Sequence, residues 1–209
     1  MKLYDFAAAP NPRRVRMFLA EKGIEIETEQ VNLREGGQMA PEFAAINPWL
    51  TVPALVLDDG TVIRECVAIC RYFEEIQPDP PMWGRGAVEI AQVEMWQHRF
   101  EFEGFLGMRD ALRNSADRLQ GRAMTGPVDV EQIPALAERA RSQVERFIAE
   151  LDGLLADNEF VVGDLFSIAD ITAFCAVDFA GWVKIGITDD QTNARRWYDA
   201  VNARPSAQA

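Results

Sequence analysis

The segment Gln77-Pro78-Asp79-Pro80-Pro81 does most to limit what this chain can become. Clustered prolines cannot continue a helix and favour an extended connection. The hydrophobic rhythm changes across them. Upstream, short strand-like runs alternate with helical stretches, whereas from Ala87 onward helical periodicity recurs and no alternating strand stands out. The expected architecture is an α/β domain over residues 1–77, a linker over 78–86 and an all-helical domain over 87–209, without internal repeats or low-complexity sequence.

In the first part, Lys2 to Phe6 reads as a strand, followed by a helix running to Lys22. Asn11 suits its N-cap, Pro12 its first position and Gly23 its stop. Glu25 to Asn32 alternates Ile26, Thr28 and Gln30 with charged neighbours, the pattern of a strand with one solvated face. Leu33 to Ala40 is a loop, Pro41 to Ile46 a short helix, and Asn47-Pro48 punctuates before Thr51-Val52-Pro53. Two strands, Ala54 to Leu57 and Thr61 to Ile63, flank Asp58-Asp59-Gly60, a hairpin signal. A helix from Glu65 to Ile76 then places Cys66, Ile69, Cys70, Phe73 and Ile76 at core spacing.

In the second part, Ile90, Val93, Trp96 or Gln97, and Phe100 mark one helix. Leu136, Ala140, Val144, Phe147, Ile148, Leu151 and Leu155 form a longer apolar stripe, with Arg122 to Glu131 as a loop before it. Ser167-Ile168-Ala169-Asp170 is a capping box, with Phe166 and Ile171 placed as a hydrophobic staple, so its expected role is in folding.

Charge and cysteine content narrow the function classes. With 21 basic against 33 acidic residues and a formal charge of -12, the chain has no net attraction to nucleic acid or to an anionic membrane. No segment reads as a signal peptide or membrane span, since Asp164, Asp170 and Asp178 interrupt the apolar stretch Leu165 to Val177. Cys66, Cys70 and Cys175 are an odd set without disulfide spacing, which points to a reducing, cytoplasmic compartment. The single histidine, His98, has no partner at a metal-ligand spacing, so no metal is expected. Arg13, Arg14 and Arg16 crowd a helix N-terminus, where cations oppose the dipole. An anion, or acidic groups elsewhere in the fold, is the expected offset, with plain solvated charge against the helical half as the alternative.

Four matches, in order and at matching spacing, carry a resemblance to the glutathione transferase superfamily over nearly the whole chain. They are Ala9-Pro10-Asn11-Pro12-Arg13-Arg14-Val15, Asn47-Pro48 through Thr51-Val52-Pro53-Ala54-Leu55, Arg64-Glu65-Cys66-Val67-Ala68-Ile69, and Ser167-Ile168-Ala169-Asp170. The resemblance implies a thioredoxin-like N-terminal domain that binds glutathione and an all-α C-terminal domain with the cosubstrate pocket. It implies a cis Val52–Pro53 bond, with the Val52 backbone pairing with the cysteinyl backbone of glutathione as a short added strand. It places Glu65 at the γ-glutamyl ammonium, Cys66 at the γ-glutamyl carboxylate and Gln38 at the glycyl carboxylate. Serine is usual where this chain has Cys66, and a thiol is the weaker donor; a half-buried core cysteine is the alternative.

Conjugation needs the glutathione thiol, with a free pKa of about 8.5, to ionise near neutrality. Superfamily members supply a Tyr, Ser or Cys for this, but the chain has Ala7, Ala8 and Ala9 there. What remains is Asn11 with the first turn of its helix, as in a bacterial and fungal branch of the superfamily; its other reading is the N-cap. Tyr4, inside a strand, is a poorer donor. Trp96, Phe100, Phe105 and Met108 are candidates to line the cosubstrate pocket, with Arg109 and Arg113 at its edge, or else to form core. The implied function is transfer of glutathione to a small hydrophobic electrophile, in the sense of detoxification, by a cytoplasmic homodimer. Glutathione-dependent disulfide reduction and a non-catalytic interaction module are the alternatives.

Overall fold

The computed structural model describes residues 1–209. Two compact units divide the chain: Met1–Pro80 with Met124–Asp129 and Ala209, and Pro81–Ala123 with Val130–Gln208.

The first unit is a four-stranded sheet in the order β2-β1-β3-β4, built from β1 (Lys2–Asp5), β2 (Glu27–Gln30), β3 (Ala54–Val56) and β4 (Val62–Arg64). Strands β1 and β2 run parallel, joined by helix α1 (Pro10–Lys22); β1 and β3, and β3 and β4, are antiparallel. Helix α2 (Pro41–Ile46) precedes β3, and α3 (Cys66–Ile76) follows β4 and packs with α1. Their core holds Leu3, Val15, Phe18, Leu55, Ile69 and Phe73. The Val52–Pro53 and Asp79–Pro80 bonds are both cis. In the hairpin, Gly60 sits at φ 85, and Asp59 accepts from the Thr61 N–H at 2.9 Å.

Several local expectations change. The expected strand Glu25–Asn32 contracts to Glu27–Gln30, and all four residues are exposed, so neither face is covered. As the sheet edge it is held by charge: Lys2 bridges Glu27 at 2.8 Å and Glu29 at 3.1 Å. Ile76, expected in the core stripe of α3, is exposed in the last turn. Asn11 is not the N-cap of α1. Ala9 holds that place, with Pro10, Asn11 and Pro12 as the first three helical residues and no side-chain cap. The first N–H groups of a helix lack intrahelical partners in any case, so two prolines there sacrifice no ladder bond.

The second unit is helical: α4 (Ala87–Phe100), a π-helical turn (Glu101–Leu106), α5 (Gly107–Arg113), α6 (Pro134–Leu154), α7 (Ile168–Ala180) and α8 (Thr192–Asn202). In α4, Gln97 rather than Trp96 takes the buried position, its Oε1 accepting from the Thr172 hydroxyl at 2.7 Å. Gly104 lets the π turn approach α6 and α7; a Cβ there would lie 3.0 Å from that of Ala176 and 3.2 Å from the Phe147 ring. Helix α7 is buried over almost its whole length and carries the expected capping box from Ser167 to Asp170. Helix α8 is capped from outside its own sequence, as Asp152 of α6 accepts the Asn193 and Ala194 N–H groups, both at 2.9 Å. Cys66, Cys70 and Cys175 are buried and form no disulfide. No helix is long and apolar enough to cross a membrane.

Candidate functional site

The sheet register gathers one group of candidate residues. Tyr4 pairs with Ala54 and Ala54 with Arg64, so the end of β1, the start of β3 and the end of β4 meet at one edge, where Asp5 also pairs with Gln30 at the end of β2. From this edge depart Phe6 to Asn11, Val31 to Gln38, Val52–Pro53 and Glu65–Cys66. Crevices at the carboxyl ends of parallel strands are where open α/β sheets bind ligands. Beneath these segments Val31, Phe43 and Val52 form an apolar floor, with Tyr4, Phe6, Ala9 and Leu33 packed against it. The Tyr4 ring belongs to that floor, 5.8 Å from Phe43.

The loop leading to Asn11 is pinned by a network that sequence reading did not assemble. Buried Asp5 accepts from Arg16 and from the Gln30 amide, each at 2.6 Å. Gln30 in turn accepts the Ala7 N–H, and Arg16 donates to the Ala7 carbonyl, each at 2.9 Å. Arg16 is therefore offset by an acidic group of the fold, one of the expected explanations. Its signal was an aspartate ending a buried strand, where a carboxylate needs a cation. Arg14, 2% exposed, donates from Nη1 to the Asn11 Oδ1 at 3.1 Å, while Asn11 itself is exposed. Pro10 and Pro12 have no N–H and that of Arg13 closes on the Ala9 carbonyl at 3.2 Å. The backbone N–H of Asn11 is thus the donor that the first turn leaves open.

The proline loop is organised by Asn47, which is fully buried. Its amide donates to the Thr51 carbonyl at 2.7 Å and hydroxyl at 3.2 Å, and its Oδ1 accepts from the Trp49 N–H at 3.1 Å. Arg64 donates to the Ile46 carbonyl at 2.7 Å and lies 5.6 Å from the Trp49 ring. Val52 and Pro53 leave this loop buried. Alongside them Glu65, the N-cap of α3, stands at φ 71 and ψ 126, a sparsely populated conformation that costs about 1–3 kcal/mol. Its carboxylate is exposed and does not cap the helix. The Ile69 N–H returns to the Glu65 carbonyl and opens the ladder of α3, so the N–H groups of the first turn point out of the helix N-terminus, an arrangement suited to an anion. Cys66 is buried. Gln38 lies in a short 3-10 turn, half-buried, and its Oε1 has no hydrogen-bond partner.

In the helical unit the other candidates separate. Trp96 is half-buried and stacks on Phe100 at 5.5 Å. Phe105 sits in the π turn, 6.3 Å from Phe179, which meets exposed Trp182 at 5.0 Å. Phe100 and Met108, taken as possible pocket residues, are closed into the core. Arg109 donates to Asp110 at 2.8 and 2.9 Å. Burial, then the like charges of Arg122 and Arg109, hold the Arg113 guanidinium below its usual value. No group of three or more His, Cys, Asp or Glu side chains gathers as a metal site.

The chain belongs to the glutathione S-transferase family: the family model for its N-terminal domain matches residues 8–76 and that for its C-terminal domain residues 90–205. Among its relatives, Glutathione S-transferase 2 of Saccharomyces cerevisiae is 34% identical over 209 residues, covering 99% of this chain and 87% of the yeast protein. The crystal structure of Gtt2 from Saccharomyces cerevisiae superposes with a TM-score of 0.90, covering 100% of this chain and 99% of that one at 34% identity. A Glutathione S-transferase class Gtt2 of Vibrio parahaemolyticus gives a TM-score of 0.84 at 37% identity, covering 100% and 96% of the two chains. The protein is therefore a glutathione transferase with a thioredoxin-like N-terminal domain and a helical C-terminal domain.

Proposed function

We propose that this enzyme ionises the thiol of bound glutathione with Asn11 and transfers it to a small hydrophobic electrophile. The observation that carries the reading is the state of Asn11. It does not cap α1, its carbonyl oxygen is engaged by Arg14, and its amide N–H groups stand exposed beside the open N–H at the positive end of the helix. No tyrosine, serine or cysteine lies between Phe6 and Arg14 to do the same work. Residues 1–77 form the glutathione-binding domain, the linker is 78–86, and residues 87–209 supply the electrophile side through Trp96, Phe105 and Arg109. Glutathione lies along Val52 and Pro53, with Glu65 and Cys66 at its γ-glutamyl end and Gln38 at its glycyl end. Three cysteines without a disulfide support a reducing, cytoplasmic setting, and the family supports a homodimer.

Asn11→Ala is expected to raise the pKa of the bound thiol by about 1–2 units, since a hydrogen bond to a charged group contributes about 1.5–3 kcal/mol. The ultraviolet absorbance of the thiolate, titrated against pH in the binary complex, measures this; an unchanged titration sinks the reading. Cys66→Ser, which restores the stronger donor, is expected to tighten glutathione binding by about fivefold, as one net hydrogen bond contributes about 1 kcal/mol. Calorimetric titration decides it. Disulfide reduction by the same thiolate needs no protein thiol, and the three cysteines here are buried. Assays with an aryl halide and with hydroxyethyl disulfide, run side by side, separate the two reactions.

A further inference from the structure

We infer that Arg14 is a positioning residue: it fixes which end of the Asn11 amide faces outward. The inference rests on the reading of Asn11 as the thiol donor. An asparagine side chain has an acceptor end and a donor end of nearly equal size, and a freely rotating amide presents either. Only the donor end stabilises a thiolate.

Arg14 lies three residues after Asn11 on α1, so the two side chains share one face of the helix. Its Nη1 reaches the Asn11 Oδ1 at 3.1 Å, a charge-assisted bond. At 2% exposure the guanidinium is held by its surroundings and cannot follow the amide if it flips, whereas exposed Asn11 has no such restraint of its own. The flipped amide would set an N–H against a guanidinium, two donors facing each other. The bond therefore turns the Asn11 Nδ2 away from Arg14. Arginine is suited to this place because its group stays charged over the working pH range and has a rigid planar shape. The same charge, one helical turn from Asn11, adds positive potential that a neutral residue lacks.

The test is a double-mutant cycle read by thiolate titration of the glutathione complex, with Asn11→Ala, Arg14→Met and the combined variant. Arg14→Met is expected to raise the thiol pKa by about one unit, a tenfold loss of thiolate at pH values below it. In the Asn11→Ala background the same replacement is expected to move the pKa far less, because there is no amide left to orient. Equal shifts in both backgrounds would overturn the inference and leave Arg14 as a remote charge. An unchanged pKa in Asn11→Ala alone would instead overturn the reading of Asn11, and the inference with it. Thermal melting checks that each variant is folded. Should Arg14→Met not fold, the cycle is run with Arg14→Lys, which keeps the charge and lacks the planar fork; coupling to Asn11 is again the supporting result and additivity the overturning one.

Discussion

Asp170→Ala is expected to yield a chain that does not fold stably at room temperature, seen as the loss of a cooperative melting transition by circular dichroism. The Asp170 carboxylate is the centre of the helical unit. Its Oδ1 accepts from the Val161 N–H at 2.9 Å and the Trp197 indole at 3.0 Å. Its Oδ2 accepts from the Ser167 N–H and hydroxyl, both at 3.0 Å. It thereby ties α7 to the segment before it and to α8. Alanine leaves these buried donors without an acceptor at about 1–3 kcal/mol each, before any cavity cost. The sum reaches the whole stability of an ordinary domain, about 5–15 kcal/mol. Asp170→Asn keeps Oδ1 for Val161 and Trp197 and gives up only the Ser167 side, so it is expected to fold at reduced stability.

The same group makes stability depend on pH. Burial pushes the Asp170 carboxyl up to about 6 from 3.8, against the pull of its hydrogen-bond donors. The native state then holds this proton more tightly than the unfolded chain does. Its contribution is fully present below 3.8 and falls as pH rises to about 6, by about 3 kcal/mol, and stays level above that. Denaturant titrations across this window should show the advantage of the parent over Asp170→Asn shrinking as pH rises. A constant difference would refute the assignment.

Lys22→Met is expected to cost about 3–5 kcal/mol in the first unit, measured by urea unfolding. The Lys22 ammonium is wholly buried, 2.5 Å from the Glu74 carboxylate. It also donates to the Gln77 carbonyl at 2.8 Å and the Pro80 carbonyl at 2.7 Å, while the Gln77 amide returns a bond to the Lys22 carbonyl at 2.5 Å. The last turn of α1 is thus stitched to the end of α3 and to the proline segment. Methionine matches the stem but strips the cation from a buried carboxylate and two carbonyls. Removing both charges in Lys22→Met/Glu74→Leu is expected to recover a large part of the loss, because a buried ion pair costs most when only one partner is deleted. If the double variant is no better than the single one, the ion pair is not what Lys22 contributes.

Lys22 also shows where reading by pattern stops. A lysine in the last helical turn before glycine looks like an ordinary solvated charge near a helix C-terminus. Nothing local announces that residues 55 and 58 positions further on will enclose it. Asp5 is similar, since its partners Arg16 and Gln30 are set by the crossover that brings β2 beside β1. Features that depend on neighbours in sequence fared better. Helix α2, the Asp58-Asp59-Gly60 turn, the Ser167 to Asp170 capping box and the core stripe of α6 from Ala140 to Leu151 were all legible, because propensity, turn chemistry and periodicity act within a few residues; at the start of the stripe Ala137 is buried and Leu136 only half-buried. The N-terminus of α1 was not, as Pro10-Asn11-Pro12 satisfies start rules in two registers.

The sequence by itself determined that an α/β part would precede a helical part, that the proline cluster would separate them, and that the glutathione transferase motifs would recur in order. These follow from hydrophobic period and from short motifs whose meaning is local. Only the tertiary structure decided the character of the candidate site. It took Asn11 out of the cap position and set Arg14 against its carbonyl oxygen. It used Arg16 to neutralise Asp5, and it set Val52–Pro53 beside Glu65–Cys66 through the β3–β4 register. Those are pairings across the chain, and the chemistry proposed for Asn11 depends on which of its two amide ends such a pairing leaves open.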